Sequence, residues 1–406
     1  MLSKILVVED SRAFRKYLNI QLSQAGFQVI FAESITQARE ILSKESDFLC
    51  SVLDYCLPDG HDGEIIEHVL SYGVQAIILT AHFSDNIREK VLSKGVIDYL
   101  LKDSASSVSY LIPLLQRLQE NSRHKALVVE DSVTVRSHLI HLLTRQNLQV
   151  IAAENGEQAI QLLQQHPDIS LIITDHDMPK KDGITMIREI RRKFDRNQLA
   201  ILGLSGSSDR SMTARFLKAG ANDFLYKPFN QEELYCRIHH ILNMKDTSDK
   251  LYKMANQDAL TGLWNRRYFF SQQSNTRSDE DKSIAMLDID FFKKVNDNYG
   301  HDGGDTVLVA ISQQLQAHFS DAIVARFGGE EFCIQSNGDR AIFVPKLELM
   351  RHKIEQLTMK YNDEEIKITV SIGISVGNKP IDEMLSEADA HLYKAKANGR
   401  NQVIYQ

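Results

Sequence analysis

Two sets of acidic residues recur in the first part of the chain, where each could hold a divalent cation. The sets are Glu9, Asp10 and Asp54, and then Glu130, Asp131 and Asp175. In each set two carboxylates are adjacent and the third ends a later strand-like run, and such oxygen ligands suit Mg²⁺. A lone Glu-Asp pair is usually a helix cap or a surface charge. The recurrence of the complete set favours the metal-site interpretation.

A third acidic group lies nearer the end of the chain. Asp288 ends a strand-like run, and the runs AIVARF and EEFCIQ flank Gly328-Gly329 as the strands of a hairpin would. Glu330 and Glu331 would lie at the tip of this hairpin. Paired glycines let backbone approach a ligand, and the three carboxylates could complete a metal site that clamps a triphosphate. A hairpin with a solvated acidic turn explains the same spacing.

A duplication positions the first two acidic sets. The octapeptide KILVVEDS near the start of the chain returns as KALVVEDS at Lys125. Both copies alternate short β-branched runs with amphipathic segments, which predicts a doubly wound parallel sheet. Ligands bind such sheets beyond the carboxyl ends of the strands. Thr80 and Lys102 fall there in the first copy, and Ser205 and Lys227 fall there in the second.

The composition excludes several classes of protein. Of the 406 residues, 43% are hydrophobic and 25% charged, as in globular domains, and the length exceeds what one core supports. A formal net charge of -7 argues against a nucleic-acid or anionic-membrane surface. No apolar run is long enough to span a bilayer, and no signal-peptide pattern precedes the first strand. We therefore expect a cytoplasmic protein that neither inserts into membranes nor binds nucleic acid.

Cysteine and histidine spacing indicates no zinc site and no disulfide framework. The cysteines are Cys50, Cys56, Cys236 and Cys333, and none forms a CxxC pair. Neighbouring histidines such as His239 and His240 lack a third ligand, so we expect ordinary surface or core positions for them.

The patterns divide the chain into four segments. We expect a parallel-sheet domain over 1–122, a second over 123–245, a helical linker over 246–256 and a different domain over 257–406. The linker continues a helix-forming stretch that begins at Gln231 and runs to about Asn256.

The two repeated units resemble the CheY-like receiver domain of bacterial response regulators. DYCLPDGHDG from Asp54 and DHDMPKKDG from Asp175 are similar to the family segment whose first aspartate accepts phosphate from a histidine kinase or a phosphotransfer protein. The metal ligands that this resemblance implies are Asp10, Asp54 and the Cys56 carbonyl, then Asp131, Asp175 and the Asp177 carbonyl, with Glu9 and Glu130 in support.

The resemblance also implies a set of switch residues. These are Thr80, Tyr99 and Lys102 in the first copy and Ser205, Phe224 and Lys227 in the second. The lysines would neutralise charge during in-line phosphoryl transfer, and the hydroxyls would hydrogen-bond the aspartyl phosphate. The two aromatic residues match the family's switch aromatics, but core packing explains them equally. Asp103 stands where the family usually has proline, which predicts an altered loop in the first copy.

The last part of the chain, from DALTGLWNRR to ADAHLYKAKANGRN, resembles the GGDEF family of diguanylate cyclases. GGEEF from Gly328 is a permitted form of the signature, and TVSIGIS from Thr369 matches another family strand. The fold implied is α/β, with two doubly wound parallel-sheet receiver domains followed by an α+β ferredoxin-like palm. The arrangement is similar to response regulators of the PleD type, which condense two GTP to cyclic di-GMP and two pyrophosphates.

The GGDEF resemblance implies roles for the acidic residues. Asp288, the Ile289 carbonyl and Glu330 would hold Mg²⁺, with Mn²⁺ as an alternative, and Glu331 would assist. Glu330 would also deprotonate the attacking ribose 3′-hydroxyl, and Lys293 would stabilise the transition state.

The same resemblance implies how GTP would be held. Lys396 and Arg400 match the positions that grip the β and γ phosphates. Asn296 and Asp305 match the guanine readers, and an unpaired Asp305 carboxylate would disfavour ATP. His301 would support this region, although a loop or helix-capping role explains it as well.

Control would involve dimers, because two bonds must form between two bound nucleotides. The resemblance implies that phosphorylated receivers form a homodimer and that the linker helix delivers the partner domain. The family's RxxD product-inhibition site has its nearest equivalent at His318 to Asp321. A neutral imidazole cannot replace a bidentate guanidinium, which predicts weak or absent feedback.

Two other functions fit parts of the sequence. One is a catalytically silent sensor of GTP or cyclic di-GMP, against which the intact Asp288, Lys293 and Glu330 argue. The other is a receiver-based phosphate sink or adaptor, which would keep its cellular function after removal of the C-terminal domain.

Overall fold

The computed structural model describes residues 2–81, 84–102, 105–206, 211–273, 281–337 and 340–405. The chain divides into two compact units, one ending at Asp249 and the other beginning at Lys250. Asp103 lies outside the described residues, so its predicted effect on the loop stays a prediction. Among the residues that are described, no helix combines the length and the apolar character needed to cross a bilayer.

The first unit contains two parallel five-stranded sheets of the same topology. The first has the order β2-β1-β3-β4-β5. Its strands are β1 (Lys4–Val8), β2 (Gln28–Ala32), β3 (Phe48–Asp54), β4 (Ala76–Thr80) and β5 (Asp98–Leu101). Its helices are α1 (Arg12–Gln24), α2 (Ile35–Leu42), α3 (Glu64–Ser71), α4 (Asp85–Ser93) and α5 (Ala105–Asn121). Side chains alternate between two cores: Leu6 and Val8 face one, and Ile5 and Val7 face the other. Both faces of the sheet are therefore covered, as the doubly wound pattern predicts.

The second sheet has the order β10-β9-β8-β6-β7, which is the first order read from the opposite edge. Its strands are β6 (Lys125–Val129), β7 (Gln149–Ala153), β8 (Ile169–Asp175), β9 (Ala200–Ser205) and β10 (Asp223–Tyr226). Its helices are α6 (Val133–Arg145), α7 (Gly156–Gln165), α8 (Gly183–Ile190), α9 (Met212–Ala219) and α10 (Gln231–Asn256). The helix predicted from Gln231 is thus continuous to Asn256.

Polar contacts join the start of α10 to the first sheet's domain. The Gln231 side-chain amide donates to the Val96 carbonyl oxygen at 2.8 Å. The next residue, Glu232, pairs with Arg88 on α4. Because α10 packs on the second sheet, these contacts connect the two receiver-like domains through one helix.

The second unit is an α+β domain around a six-stranded mixed sheet of order β11-β13-β14-β12-β17-β18. Its strands are β11 (Trp264–Asn265), β12 (Lys282–Ile289), β13 (Ile323–Gly328), β14 (Glu331–Ser336), β15 (Met359–Tyr361), β16 (Glu364–Ile366), β17 (Val370–Gly377) and β18 (Val403–Ile404). Its helices are α11 (Arg266–Gln273), α12 (Phe292–His318), α13 (Arg340–Gln356) and α14 (Ile381–Ala397). The central strands β13, β14, β12 and β17 are antiparallel, and β15 and β16 form a separate hairpin.

Helix α12 is kinked at one residue. Gly300 has φ 71° and ψ 175°, so the helix consists of two arms that meet there. Glycine adopts a positive φ without the clash that a Cβ would cause. The kink turns the second arm relative to the first and positions the residues on either side of it.

Candidate functional site

The first acidic set converges as predicted. The carboxylate oxygens of Glu9, Asp10 and Asp54 lie within 4.8 Å of one another at the carboxyl ends of β1 and β3. Lys102 Nζ, at the end of β5, lies 2.7 Å from Glu9 Oε2 and 2.5 Å from Asp54 Oδ2. The Cys56 amide donates to Asp54 Oδ1 at 3.2 Å, which places the Cys56 backbone beside the set.

The second acidic set repeats this geometry. Glu130, Asp131 and Asp175 also gather their oxygens within 4.8 Å. Lys227 Nζ lies 2.6 Å from Glu130 Oε2 and 2.5 Å from Asp175 Oδ1. The Asp177 amide donates to Asp175 Oδ2 at 2.9 Å. The two sites are thus built from equivalent residues on equivalent strands.

Burial and the lysine act in opposite directions on each site. Burial raises the pKa of Glu9, and the Lys102 ammonium opposes that rise; burial and Lys227 have the same opposed effects on the pKa of Glu130. Burial alone would lower the pKa of Lys227, but the Asp175 and Glu130 carboxylates outweigh it and the net pKa is raised. Three carboxylates face one ammonium in each set. This hard-oxygen, acidic donor set fits a divalent cation such as Mg²⁺.

The structure places the remaining switch residues at the same edge or in the adjoining core. Thr80 and Ser205 end β4 and β9 and are buried. The Tyr99 phenol is hydrogen-bonded to the Thr80 side chain, although burial raises its pKa overall. Phe224 is packed 5.1 Å from Phe216 between ring centroids. Both aromatic residues are therefore core residues in this conformation.

Two arginines that were not predicted as site residues hold the acidic loops. Arg15 Nη1 donates to the carbonyl oxygens of Glu9 and Asp10, each at 2.7 Å. Arg136 Nη1 donates to the equivalent Glu130 carbonyl at 2.6 Å. The repeat could have identified them, because the two arginines occupy matching positions in the two copies.

In the second unit, Asp288 is the next-to-last residue of β12 and lies beside the acidic hairpin. It lies opposite Glu331 on β14 in the antiparallel register and is 6% exposed. Lys396 Nζ on α14 lies 2.7 Å from Asp288 Oδ2. Burial raises the pKa of Asp288; Lys396 opposes this, while Glu330 and Glu331 raise it further. The predicted phosphate ligand Lys396 is therefore an ion-pair partner of the predicted metal ligand.

The hairpin turn lies one residue later than the spacing predicted. Gly328 pairs with Glu331, so Gly329 and Glu330 are the turn residues. φ is 153° at Gly328 and 51° at Gly329, so the second glycine has the left-handed conformation that favours this residue type. Glu330 is half-buried and Glu331 is exposed.

Arg326, which no sequence pattern singled out, supports this turn. Arg326 Nη2 donates to the Gly329 carbonyl at 2.8 Å, and Arg326 Nη1 donates to Asp258 Oδ1 at 2.9 Å. Asp258 begins the DALTG motif, so this early motif is linked to the signature turn. Only the folded sheet brings these distant segments together.

The acidic group of the second unit is looser than the receiver sets. Among the described residues, only the two receiver sets bring three acidic side chains together with their oxygens within 4.8 Å of one another. Asp288, Glu330 and Glu331 are neighbours without that convergence. All three, and the Ile289 carbonyl beside them, are oxygen donors of the kind that Mg²⁺ takes.

The predicted guanine readers lie on the two arms of α12. Asn296 precedes the kink at Gly300, and Asp305 follows it. A Cβ at Gly304 would collide with Asn296 Oδ1, so the glycine allows the arms to approach. Asp305 lines a surface cleft of about 460 Å³, together with apolar residues such as Val309, while Asn296 is not among the residues lining it.

The other predicted ligands are solvent-accessible. Lys293 and His301 are exposed on α12. Arg400 is half-buried, and its guanidinium lies 4.4 Å from the centroid of the Phe291 ring. His318 contacts the Gln314 carbonyl through Nδ1 at 2.8 Å.

Two receiver-like α/β domains with acidic sites, followed by a mixed sheet with an acidic hairpin, define a class of signalling enzyme. The family described as "Response regulator receiver domain" matches residues 5–109 and 126–239. The family described as "Diguanylate cyclase, GGDEF domain" matches residues 255–402. The receiver matches cover more than half of the chain, so the chain belongs to the response regulators, and its C-terminal domain belongs to the GGDEF family of diguanylate cyclases.

Particular relatives match all or part of this chain. The response regulator PleD of Caulobacter vibrioides is 26% identical over 454 residues, covering 100% of this chain and 99% of PleD. Diguanylate cyclase A of Treponema denticola is 35% identical over 169 residues, covering 38% of this chain and 46% of that protein. A solved structure of a two-component response regulator/GGDEF domain protein is 40% identical with a TM-score of 0.56, covering 60% of this chain and 99% of its own. The match to PleD thus runs along the whole of this chain.

Proposed function

We propose that this chain condenses two GTP molecules to cyclic di-GMP and two pyrophosphates, and that phosphorylation of Asp54 and Asp175 controls the reaction. The observation that carries the proposal is the pairing of Asp288 with Glu331 of the acidic hairpin, at the end of the β12-β14 ladder. This end of the two strands presents carboxylates for a metal-bound triphosphate beside the Lys396 ammonium.

The acidic residues would divide the work between metal binding and proton transfer. Asp288, the Ile289 carbonyl and Glu330 would hold Mg²⁺ or Mn²⁺, and Glu331 would assist. The bound ion would supply charge neutralisation of the triphosphate. Glu330, at the hairpin turn, would accept the proton of the ribose 3′-hydroxyl.

The basic and amide side chains would position the nucleotide. Lys396 and Arg400 would hold the β and γ phosphates, which requires Lys396 to exchange Asp288 for phosphate. Lys293 would stabilise negative charge in the transition state. Asn296 and Asp305 would read guanine across the α12 kink.

The active form would be a homodimer. Each GGDEF domain binds one GTP, and each of the two new 3′–5′ bonds joins nucleotides held by different copies. Two facing sites convert an encounter into an effectively unimolecular step. A monomer should therefore release little pyrophosphate.

The receivers would be the input. A sensor histidine kinase or a phosphotransfer protein would donate phosphate, with Mg²⁺ held by each acidic set. The matched ranges and the two sheets support receiver domains over 1–122 and 123–245, with a linker over 246–256 and the catalytic domain over 257–406. Such a regulator would act in the cytoplasm, where its phosphate donors and GTP are present.

Chromatographic product analysis tests the enzymatic part. Purified protein is incubated with Mg²⁺ and GTP, with and without acetyl phosphate. We expect cyclic di-GMP and pyrophosphate in both cases, with more after acetyl phosphate treatment. Glu330→Gln, which keeps the side-chain size but removes the carboxylate that would accept the proton, should fold and lose at least about 100-fold of the activity. Protein that binds GTP but never releases pyrophosphate would instead be the silent sensor.

Mass spectrometry and light scattering test the regulatory part. After acetyl phosphate treatment, Asp54→Asn should remove one phosphoryl signal and Asp175→Asn the other. An unchanged signal in either variant would contradict phosphorylation at that residue. Phosphorylated protein that turns over GTP while its measured mass stays monomeric would refute the dimer.

A further inference from the structure

Three consecutive residues after α14 have left-handed backbone conformations. φ is 108° at Gly399, 67° at Arg400 and 49° at Asn401. Glycine adopts such angles freely and asparagine tolerates them, whereas arginine adopts them only where surrounding contacts hold it. Arg400 must therefore be held in place by its neighbours.

A buried carboxylate holds the backbone of this segment. The Asn401 amide donates to Asp290 Oδ2 at 3.1 Å, and Asp290 is 4% exposed. The Thr369 hydroxyl donates to the same oxygen at 2.7 Å, and the Ser371 hydroxyl donates to Asp290 Oδ1 at 2.6 Å. Three donors thus fix the carboxylate, which in turn fixes the backbone immediately after Arg400.

The Asn401 side chain is bound at both ends of its amide. Arg351 Nη1 donates to Asn401 Oδ1 at 2.6 Å, and Asn401 Nδ2 donates to Glu355 Oε1 at 2.7 Å. Arg351 is 7% exposed and also lies 3.3 Å from Glu355 Oε2. Both partners belong to α13, which carries none of the predicted site residues. These contacts tie the segment to α13.

The guanidinium of Arg400 has its own contact, with the ring of Phe291. It lies 4.4 Å from the Phe291 ring centroid, and Lys294 Nζ lies 4.5 Å from the same centroid. Phe291 is 52% exposed and itself has φ 56°. Contact with the ring restricts a side chain that would otherwise sample many rotamers. Hydrogen bonds thus hold the backbone beside Arg400, and the Phe291 ring restrains its guanidinium.

We propose that Asn401 is a positioning residue for the nucleotide: its amide, bound between Arg351 and Glu355, keeps Arg400 directed at the terminal phosphates. The proposal rests on the proposed function, in which Arg400 grips the β and γ phosphates. Asn401 acts through Arg400 and contacts no nucleotide itself. Its removal should therefore weaken the binding of triphosphates selectively.

Calorimetric titration of the full chain in Mg²⁺ tests this with two ligands. One is 3′-deoxy-GTP, which lacks the attacking hydroxyl and cannot condense, and the other is GMP, which lacks the terminal phosphates. Asn401→Ala should weaken 3′-deoxy-GTP binding about 10-fold and GMP binding less than about 2-fold. In a chain that already carries Arg400→Ala, Asn401→Ala should weaken 3′-deoxy-GTP binding by less than about 2-fold, because the two residues act as a unit.

Two further variants separate positioning from general structural damage. Asn401→Gly tolerates the positive φ, so it should fold, yet it should show the same selective loss because the amide contacts are gone. Asn398→Ala is the matched control: Asn398 is exposed in the same segment with an ordinary φ of -83° and should bind as the unmodified chain does.

Three results would overturn the positioning role. These are equal losses for both ligands, losses that add to those of Arg400→Ala, and an Asn401→Gly variant with unchanged affinity. If the unmodified chain bound neither ligand, the proposed function itself would fail, and this outcome is distinct from the other three.

Discussion

Arg117 Nη1 lies 2.5 Å from Asp246 Oδ2, so an ion pair joins α5 of the first receiver to α10 of the second. Arg117 is 2% exposed. His124 Nε2 lies 3.1 Å from the other carboxylate oxygen of Asp246. Burial would raise the pKa of Asp246, but the hydrogen bonds from His124 and Arg117 outweigh it and lower the pKa to about 2. The receivers are therefore fastened to each other through the helix that continues past Asp249.

Asp246→Asn should loosen this junction. The substitution removes the nearer of two carboxylates that face the buried Arg117 guanidinium, and Glu120 Oε2 remains at 3.7 Å. We expect this loss to cost about 2 kcal/mol of local stability, the free energy that corresponds to the lowered pKa of Asp246. Hydrogen exchange of the full chain should show faster exchange in peptides from α5 and from α10. The matched control is Asp249→Asn: the Asp249 side chain is 46% exposed, so its i,i+4 pair with Lys245 should contribute less than about 0.5 kcal/mol. Equal protection in both variants would contradict this role.

The same ion pair predicts an acid limit. The folded-state pKa of Asp246 is about 2, below the ordinary value of 3.8. The ionised carboxylate therefore stabilises the folded state fully above pH 3.8, and this stabilisation is lost as the pH falls towards 2. Unmodified protein should therefore lose more protection in α5 over this range than Asp246→Asn does.

His239 predicts a second pH effect in a higher range. Its Nε2 contacts Gln146 Oε1 at 2.8 Å, and burial, with a smaller effect of Arg117, lowers its pKa to about 4 from 6.5. The folded state favours the neutral imidazole, so stability should fall by about 2 kcal/mol as the pH drops from 6.5 to 4. Urea unfolding at several pH values should show this fall reduced in His239→Gln. The exposed neighbour His240, changed to Gln, is the control and should leave the slope unchanged.

Asp305 should decide base specificity. Its carboxylate can accept hydrogen bonds from N1–H and the 2-amino group of guanine, whereas adenine would leave it unpaired. We expect Asp305→Asn to lower kcat/KM for GTP by about 100-fold with little change in the low rate with ATP. Parallel assays of pyrophosphate release measure the rate with GTP and the rate with ATP. Equal turnover of GTP and ATP by the unmodified protein would exclude this assignment.

Product feedback should be weak at the site near His318. The His318 Nδ1 position is already engaged with the Gln314 carbonyl, and Asp321 is paired with its neighbour Ser320. An imidazole lacks the planar fork that an arginine would offer to a cyclic dinucleotide. Adding cyclic di-GMP should therefore leave the rate of GTP turnover nearly unchanged at submicromolar concentrations. Strong inhibition that Asp321→Ala abolishes would show the opposite.

The amino-acid sequence alone determined the elements and the acidic sets. Alternating apolar runs fix strands and helices locally, and the duplicated octapeptide placed equivalent carboxylates at equivalent strand ends. For the same reason the continuous α10 and the receiver lysines could be predicted. The hairpin was predicted too, but its turn was placed one residue early, because the cross-strand register decides which residues pair.

Only the tertiary structure revealed the residues that hold the site in place. Arg326 reaches Asp258, and Asn401 reaches Asp290, across long stretches of sequence. No local periodicity marks such partners, since a hydrogen bond between distant segments depends on how the sheet and helices pack. The motifs thus identify which residues could do the chemistry, whereas the orientation of each reacting group is set by contacts that form only on folding.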